Sequence, residues 1–295
     1  MKKIVVILLV SILAAAAALT AVSCNGNTNV PGAVWAKNET VVYDITRGDE
    51  TLGTLTISLE KLSPGSEVTL NATGGKYNIT SSAHGTRVTT TAKSTDGKVW
   101  LESESIMDMF TSIASYRKVD YNGEKYELKG HYSGKYYYYT INDGEEERLR
   151  VGDSGFVDRE QLYTVIRAYN LEAGYAATYK IADPINGEVV DIAVSTGAEG
   201  NYSTSYTAIN FEGTEKKMTT TSCIAVNFSR SSAPQGKAIQ VVYSKDEALE
   251  VLGDPADSGF AAGGNSSIRI PLQITENDIV YNIKSVSTFL PAELK

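Results

Sequence analysis

The chain has few of the residues that build disulfide, zinc or nucleic-acid sites. Its two cysteines, Cys24 and Cys223, are too few for a disulfide framework. The two histidines, His84 and His131, are far apart, and neither lies at ligand spacing from another histidine or a cysteine, so no zinc site is predicted. The formal net charge of -8 repels phosphate backbones and argues against nucleic-acid binding. We therefore expect no metal, no cofactor and no nucleic-acid partner.

One short motif is similar to an enzyme signature. Gly152-Asp153-Ser154-Gly155 resembles the nucleophile motif of chymotrypsin-like proteases, and His84 is the candidate base. A serine nucleophile needs a histidine within hydrogen-bond reach and a carboxylate that orients it. The stretch between His84 and Ser154 is too short for the strands which that fold places between the two groups. We expect a turn here, no catalytic residue, and a protein that is not an enzyme.

The N-terminus has the pattern of a bacterial export signal. Two lysines precede an apolar and small-residue run over residues 4–19, and Cys24 follows soon after. As a helix this run reaches only ~24 Å, which is short of the ~30 Å hydrocarbon layer, so a cleaved signal is favoured over a transmembrane span. The small residue before Cys24 resembles a lipoprotein box, although Ala21 stands where leucine is usual. We predict a signal peptide over residues 1–23, lipid on Cys24 and a flexible tether over residues 24–38. Such a protein would be extracytoplasmic and attached to a bacterial membrane through its N-terminal lipid.

From Glu39 onward the dominant pattern is an alternation of apolar and polar residues. Residues 54–60 and 268–274 are apolar at every second position, which is typical of half-buried strands. Pairs such as Asn122-Gly123 accept the positive φ angles of tight turns, so neighbouring strands should pair antiparallel. No linker or shift in composition divides residues 39–295, which favours a single β domain. Further strands are predicted over residues 68–72, 77–81, 126–132, 136–141, 189–194, 224–228, 239–243 and 279–286.

Two segments have the spacing of helices instead. In residues 105–117, apolar residues recur at intervals of three and four and predict one apolar helix face. These residues are Ile106, Met109, Phe110, Ile113 and Tyr116. The second segment covers residues 158–170 and has Leu162, Val165, Ile166 and Tyr169 on one face. Asp158 is placed to cap its first amides, Gln161 to reach back in a capping box, and Gly174 to end it.

The order of these features resembles a known exported family. The first features that carry the resemblance are the opening strand 41–45 with Leu52-Gly53-Thr54-Leu55, and the predicted 105–117 helix before a Tyr-rich strand pair. Phe156-Val157-Asp158 before residues 162–167, and then Leu171-Glu172-Ala173-Gly174, come next. The last feature is the closing strand pair 242–246 and 270–272. These features resemble the family catalogued as domain of unknown function 3108 over most of residues 39–290, with residues 253–267 as a departure. The resemblance implies a mainly β fold, in which a strongly curled antiparallel sheet forms a half-open barrel with the two helices against its concave face. Such a sheet is similar to the half-barrels of bacterial lipoprotein carriers. The family implies no known activity.

The concave face of a curled sheet must be filled by side chains, helices or a ligand. By alternation Tyr137 and Tyr139 share one face of their strand, where they would either line a cavity or simply suit a strand. Arg167 lies on a largely apolar helix, where it would either reach a ligand head group or pair with a carboxylate. The candidate cavity-lining residues are Phe110, Ile113, Tyr137, Tyr139, Leu162, Ile166 and Arg167.

These observations lead to two hypotheses of function. The first is a non-enzymatic, lipid-anchored binding lipoprotein whose cavity takes a lipid or another amphiphile. The alternative is a structural or assembly module of the cell envelope that holds a protein partner on its surface or its edge strands. Bound lipid in the purified protein would favour the first hypothesis, and a co-purifying protein would favour the second.

Overall fold

The computed structural model describes residues 38–80, 85–169, 171–230, 238–245 and 269–289. The predicted signal peptide, Cys24 and nearly all of the tether lie outside the described residues, as do His84 and the insertion at 253–267. Within the described ranges the chain is mainly β, as the alternation predicted. No helix in these ranges has both the length and the apolar character needed to cross a bilayer.

The described strands are β1 (Asn38–Arg47), β2 (Glu50–Leu62), β3 (Glu67–Leu70), β4 (Gly75–Asn78), β5 (Gly85–Ser94), β6 (Val99–Asp108), β7 (Thr111–Tyr121), β8 (Glu124–Ser133), β9 (Tyr136–Ile141), β10 (Glu147–Arg150), β11 (Ala176–Asp183), β12 (Glu188–Tyr202), β13 (Tyr206–Ile209), β14 (Glu215–Met218), β15 (Thr221–Arg230), β16 (Ile239–Ser244), β17 (Pro271–Glu276) and β18 (Ile279–Ser287). A 3-10 turn (Arg159–Gln161), the helix α1 (Leu162–Val165) and a second 3-10 turn (Ile166–Ala168) follow one another. We call residues 158–169 the inner segment.

One curled sheet of 16 strands forms the body of the molecule. Its order is β10-β9-β8-β7-β6-β5-β2-β1-β18-β17-β16-β15-β12-β11, with antiparallel pairing along this path, and the β13–β14 hairpin attaches to β18 in parallel. The two ends of the sheet come together where the chain after β10 runs beside β11. There Val157 N donates to Lys180 O at 2.9 Å, and Lys180 N donates to Gly155 O at 2.8 Å. The sheet is therefore a nearly closed barrel.

The first predicted helix is wrong, because residues 105–117 form the β6–β7 hairpin. The chain reverses at Met109, which has a φ of 54°. Both faces of this hairpin are covered: the β3–β4 hairpin packs on Ile106 and Tyr116 outside, and serines inside bond to the inner segment. Polar residues on the inner face conceal the alternation of a strand. The turn then brings apolar residues of two strands to intervals that match a helix.

The second predicted helix is present only as the short inner segment, in which α1 itself spans Leu162–Val165. The predicted cap is there, since the Asp158 carboxylate accepts the Glu160 amide at 3.0 Å. Gln161 makes no capping box. Its side chain instead donates to Ser105 Oγ at 2.6 Å and accepts from Ser112 Oγ at 2.6 Å. The segment is therefore held in place by hydrogen bonds to the sheet, and not by the backbone hydrogen bonds of a long helix.

The inner segment crosses the barrel interior and has one apolar side. Leu162, Val165 and Ile166 on that side are buried against the inner faces of β11, β12, β15 and β16. Burial of each such side chain contributes ~1.5 to 3 kcal/mol to the free energy of folding. We call the cluster that these residues form the main core. The opposite side of the segment faces a space that side chains leave open.

Candidate functional site

An open cavity of about 560 Å³ lies between the inner segment and the inner faces of β1, β2, β5 to β8, β17 and β18. Its lining extends to Asn122 in the β7–β8 turn and Asn277 in the β17–β18 turn. Antiparallel pairing puts the β1–β2 and β5–β6 turns at this same end of the barrel. We call it the open end.

The walls of the cavity are apolar because strand alternation turns every second residue inward. In β1 the inward residues are Val41, Tyr43 and Ile45, and each is buried. Their cross-strand partners continue the surface, since Val41 pairs with Ile57 and Ile45 with Tyr281. Near the open end, Trp100 and Leu101 of β6 also line the cavity. The Trp100 ring lies 4.9 Å from the ring of Tyr121.

The floor of the cavity is polar and comes from the inner segment. Arg159, Glu160, Thr164 and Arg167 all line it. The apolar residues of the same segment lie on its other side in the core. The segment is thus amphipathic, with its polar side facing the cavity.

One buried ion pair joins this floor to β1. Arg167 donates from Nη1 to Glu39 Oε1 at 2.8 Å and from Nη2 to Glu39 Oε2 at 2.7 Å. The two side chains are only 2% and 1% exposed. Two parallel hydrogen bonds to one carboxylate are the strong geometry for arginine. This pair fixes the far end of the inner segment against the wall.

A second ion pair, between Arg117 of β7 and Glu160, lies at the start of the segment. Glu160 also accepts a hydrogen bond from Ser103 Oγ at 2.7 Å, and Arg117 Nε donates to Tyr126 Oη at 3.1 Å. Burial acts to raise the pKa of Glu160, but the charges of Arg117 and Arg159 and the hydrogen bonds from Ser103 and Arg117 outweigh it, and the pKa is lowered. Glu160 is therefore ionised at neutral pH.

Asp158 lies behind this pair, beside a small cleft of about 40 Å³. Its carboxylate accepts from Ser105 Oγ at 3.2 Å and from Tyr132 Oη at 3.1 Å. Burial, and then the charge of Glu160, raise the pKa of Asp158 above its ordinary value. The serines here bond to carboxylates and to an amide, and the described residues contain no group of three or more side chains suited to a metal ion. The cluster serves to position the inner segment.

The predicted site residues are distributed over several places. Arg167 lines the cavity, and Tyr137 lines the small cleft. Leu162 and Ile166 lie in the core on the apolar side of the inner segment, with Phe110 packed against that core. Tyr139 belongs to a cluster where the barrel closes, and Ile113 packs with the group beneath the β3–β4 hairpin.

Sequence reasoning missed most of the residues that form the cavity. The alternation in β1 and β18 was visible, and it predicted strands with one apolar face. It did not say which of the many apolar faces would border open space, because that depends on where the inner segment crosses the barrel.

Comparison with known proteins shows a likeness to a solved structure. No family model and no curated protein matches the chain. Among solved structures, the chain is similar to the crystal structure of a beta-barrel-like protein of domain of unknown function DUF1849 from Brucella abortus. The identity is 12%, the match covers 86% of this chain and 98% of that chain, and the TM-score is 0.43.

Proposed function

We propose that this chain is an extracytoplasmic binding protein whose barrel cavity takes a lipid or another amphiphile. The observation that supports this most is the cavity itself. Its volume of about 560 Å³ lies within the ~300 to 1,000 Å³ typical of small-molecule sites. Apolar walls between two polar ends suit a ligand whose greater part is apolar.

The size of the cavity argues that it is not a packing defect. Protein interiors are close-packed, and voids larger than a water molecule are few. At ~24 cal/mol per Å³, a dry void of this volume would cost on the order of 10 kcal/mol. That is comparable with the ~5 to 15 kcal/mol that stabilises a typical domain. Access for water lowers this cost, and an apolar ligand would remove most of it.

The charged groups of the site favour binding over catalysis. Arg117 and Arg167 are each held by a carboxylate, and the nearby serines donate to neighbouring side chains. A nucleophile must also meet its substrate, and neither Ser103 nor Ser105 lines the cavity. A lipid on Cys24 would hold the barrel close to a membrane, where amphiphiles are available.

A cavity-filling variant tests the proposal. Ala92 of β5 lines the cavity, whereas its neighbour Thr91 lies on the outer face of the same strand. We expect Ala92→Phe to abolish binding of the neutral probe N-phenyl-1-naphthylamine, because the ring occupies the space that the probe needs. The matched control Thr91→Phe should bind as the parent protein does. Fluorescence titration measures both, and thermal unfolding verifies that each variant is folded.

Two results would oppose the proposal. Equal loss of probe binding in both variants would place the probe elsewhere. A parent protein that binds no probe and carries no lipid in native mass spectrometry would favour the assembly-module hypothesis.

A further inference from the structure

The charges that line the cavity are unevenly distributed between its two ends. The floor region has three guanidinium groups, those of Arg117, Arg159 and Arg167, and two carboxylates, those of Glu39 and Glu160. The two carboxylates pair with Arg117 and Arg167. One positive charge is therefore in excess at the floor.

The excess charge belongs to Arg159. Its side chain is exposed and lines both the cavity and the small cleft. Its charge acts on nearby Glu160, but within the described part of the chain no carboxylate lies within ion-pair distance of its guanidinium group. The arginines on either side of it are held by carboxylates, whereas Arg159 keeps its donors for solvent or a ligand. Guanidinium groups bind carboxylate and phosphate oxygens with two parallel hydrogen bonds.

The charged residues that line the cavity at its open end are both acidic. Glu124 follows the β7–β8 turn and Glu276 precedes the β17–β18 turn, and both line the cavity. An anionic group placed between these turns would be repelled by both carboxylates. At the floor, the same group would meet the free guanidinium group of Arg159.

We infer that the cavity binds an amphiphile with an anionic head group, and that the head lies inward on Arg159 while the apolar chain points to the open end. This inference rests on the proposed function and names the class of its ligand. A carboxylate and a phosphate monoester share the required chemistry. A neutral head would gain hydrogen bonds but nothing from the charge, and a cationic head would be repelled at the floor.

Competition for the cavity tests the head group. Dodecanoate, dodecyl phosphate, dodecanol and dodecyltrimethylammonium share one chain length and differ in charge. Each is titrated against bound N-phenyl-1-naphthylamine. We expect both anions to compete roughly tenfold better than the alcohol, the step expected of a charge-assisted contact, and the cation to compete worst.

Variants of the chain assign the difference to one residue. Arg159→Gln should remove the preference for the anions and leave competition by dodecanol unchanged, whereas Arg159→Lys should keep part of the preference. Lys118→Gln is the matched control, because Lys118 is exposed on the outer face of β7. Equal competition by the alcohol and the anions, with the probe still bound, overturns this inference and leaves the proposed function intact. Absence of probe binding overturns both.

Trp100 reports the orientation. It lines the cavity at the open end, and the other tryptophan, Trp35, can be removed as Trp35→Phe. A bromine atom quenches tryptophan fluorescence at short range. With the head inward, 12-bromododecanoate should quench Trp100 more strongly than 2-bromododecanoate. Stronger quenching by the 2-bromo acid would place the head at the open end and overturn the inference.

Discussion

The buried ion pair between Glu39 and Arg167 allows a quantitative test of how the inner segment is held. The pair joins residues 128 positions apart in the chain, and it is almost completely shielded from solvent. Arg167→Met keeps most of the side-chain volume and removes the charge. The Glu39 carboxyl group is then left buried without its two hydrogen bonds.

The expected loss follows from that desolvation. Removal of one partner from a buried ion pair costs ~3 to 5 kcal/mol, because the remaining charge is not compensated. Replacement of both partners by apolar residues of similar volume is often neutral, since the desolvation cost of both charges is removed as well. We therefore expect Arg167→Met to lose ~3 to 5 kcal/mol, and Glu39→Leu combined with Arg167→Met to recover most of it.

Urea unfolding measures the free energy of unfolding of the parent, both single variants and the double variant. The control is Arg47→Met, which removes an exposed ion pair from the end of β1, the strand that contains Glu39. Arg47 Nε lies 2.9 Å from Asp278 Oδ2, and the two side chains are 47% and 67% exposed. The control should change stability by less than ~1 kcal/mol. A loss below ~1 kcal/mol for Arg167→Met as well would refute the argument, because it would mean that water reaches the pair.

Two further predictions concern the anchor and the pH dependence. If Cys24 carries the proposed lipid, Cys24→Ser should release the protein from membranes in cell fractionation, because the variant has no sulfur to which acyl chains attach; a variant that stays with the membrane would favour an uncleaved helix. The raised pKa of Asp158 means that the folded state binds its proton more tightly than the unfolded state. Its contribution to stability is thus fully present below the ordinary aspartate pKa and is lost as the pH rises through the raised value. Asp158→Asn should reduce this loss in urea unfolding between pH ~4 and 7, and an unchanged pH profile would contradict the assignment.

Local pattern was sufficient wherever a strand has one wet face and one buried face. The strand predicted over residues 136–141 has the same bounds as β9, and its alternation correctly buries Tyr137 and Tyr139. The turn at Asn122-Gly123 has positive φ at both residues, as that pair of residues predicts. The cap at Asp158 was also predictable, because it involves an amide only two residues away.

The apolar and polar pattern predicted the wrong element where both faces of a strand are covered. The inner face of the β6–β7 hairpin has Ser103, Ser105, Ser112 and Ser115 buried against the inner segment. Buried hydroxyl groups look like a wet face in the sequence, and the apolar residues of the other face then appear at helical intervals. The partners of Ser103, Ser105 and Ser112 in the inner segment come from residues about fifty positions later.

In the candidate site, too, near neighbours in the sequence decided less than contacts between distant residues. Arg167 was a candidate from its place on an apolar helix, and its choice between a ligand and a carboxylate could not be made from neighbouring residues. The carboxylate that it meets, Glu39, is at the start of the chain's first described strand.

By itself, the amino-acid sequence determined the β character of this protein, most of its strands and turns, and the start of the inner segment. These depend on alternation, backbone conformation and contacts between near neighbours, all of which are local. Only the tertiary structure decided which apolar faces pack and which border the cavity. That outcome depends on how far the sheet curls and where the inner segment crosses it, and both are set by contacts such as that of Glu39 with Arg167 between residues far apart in the chain.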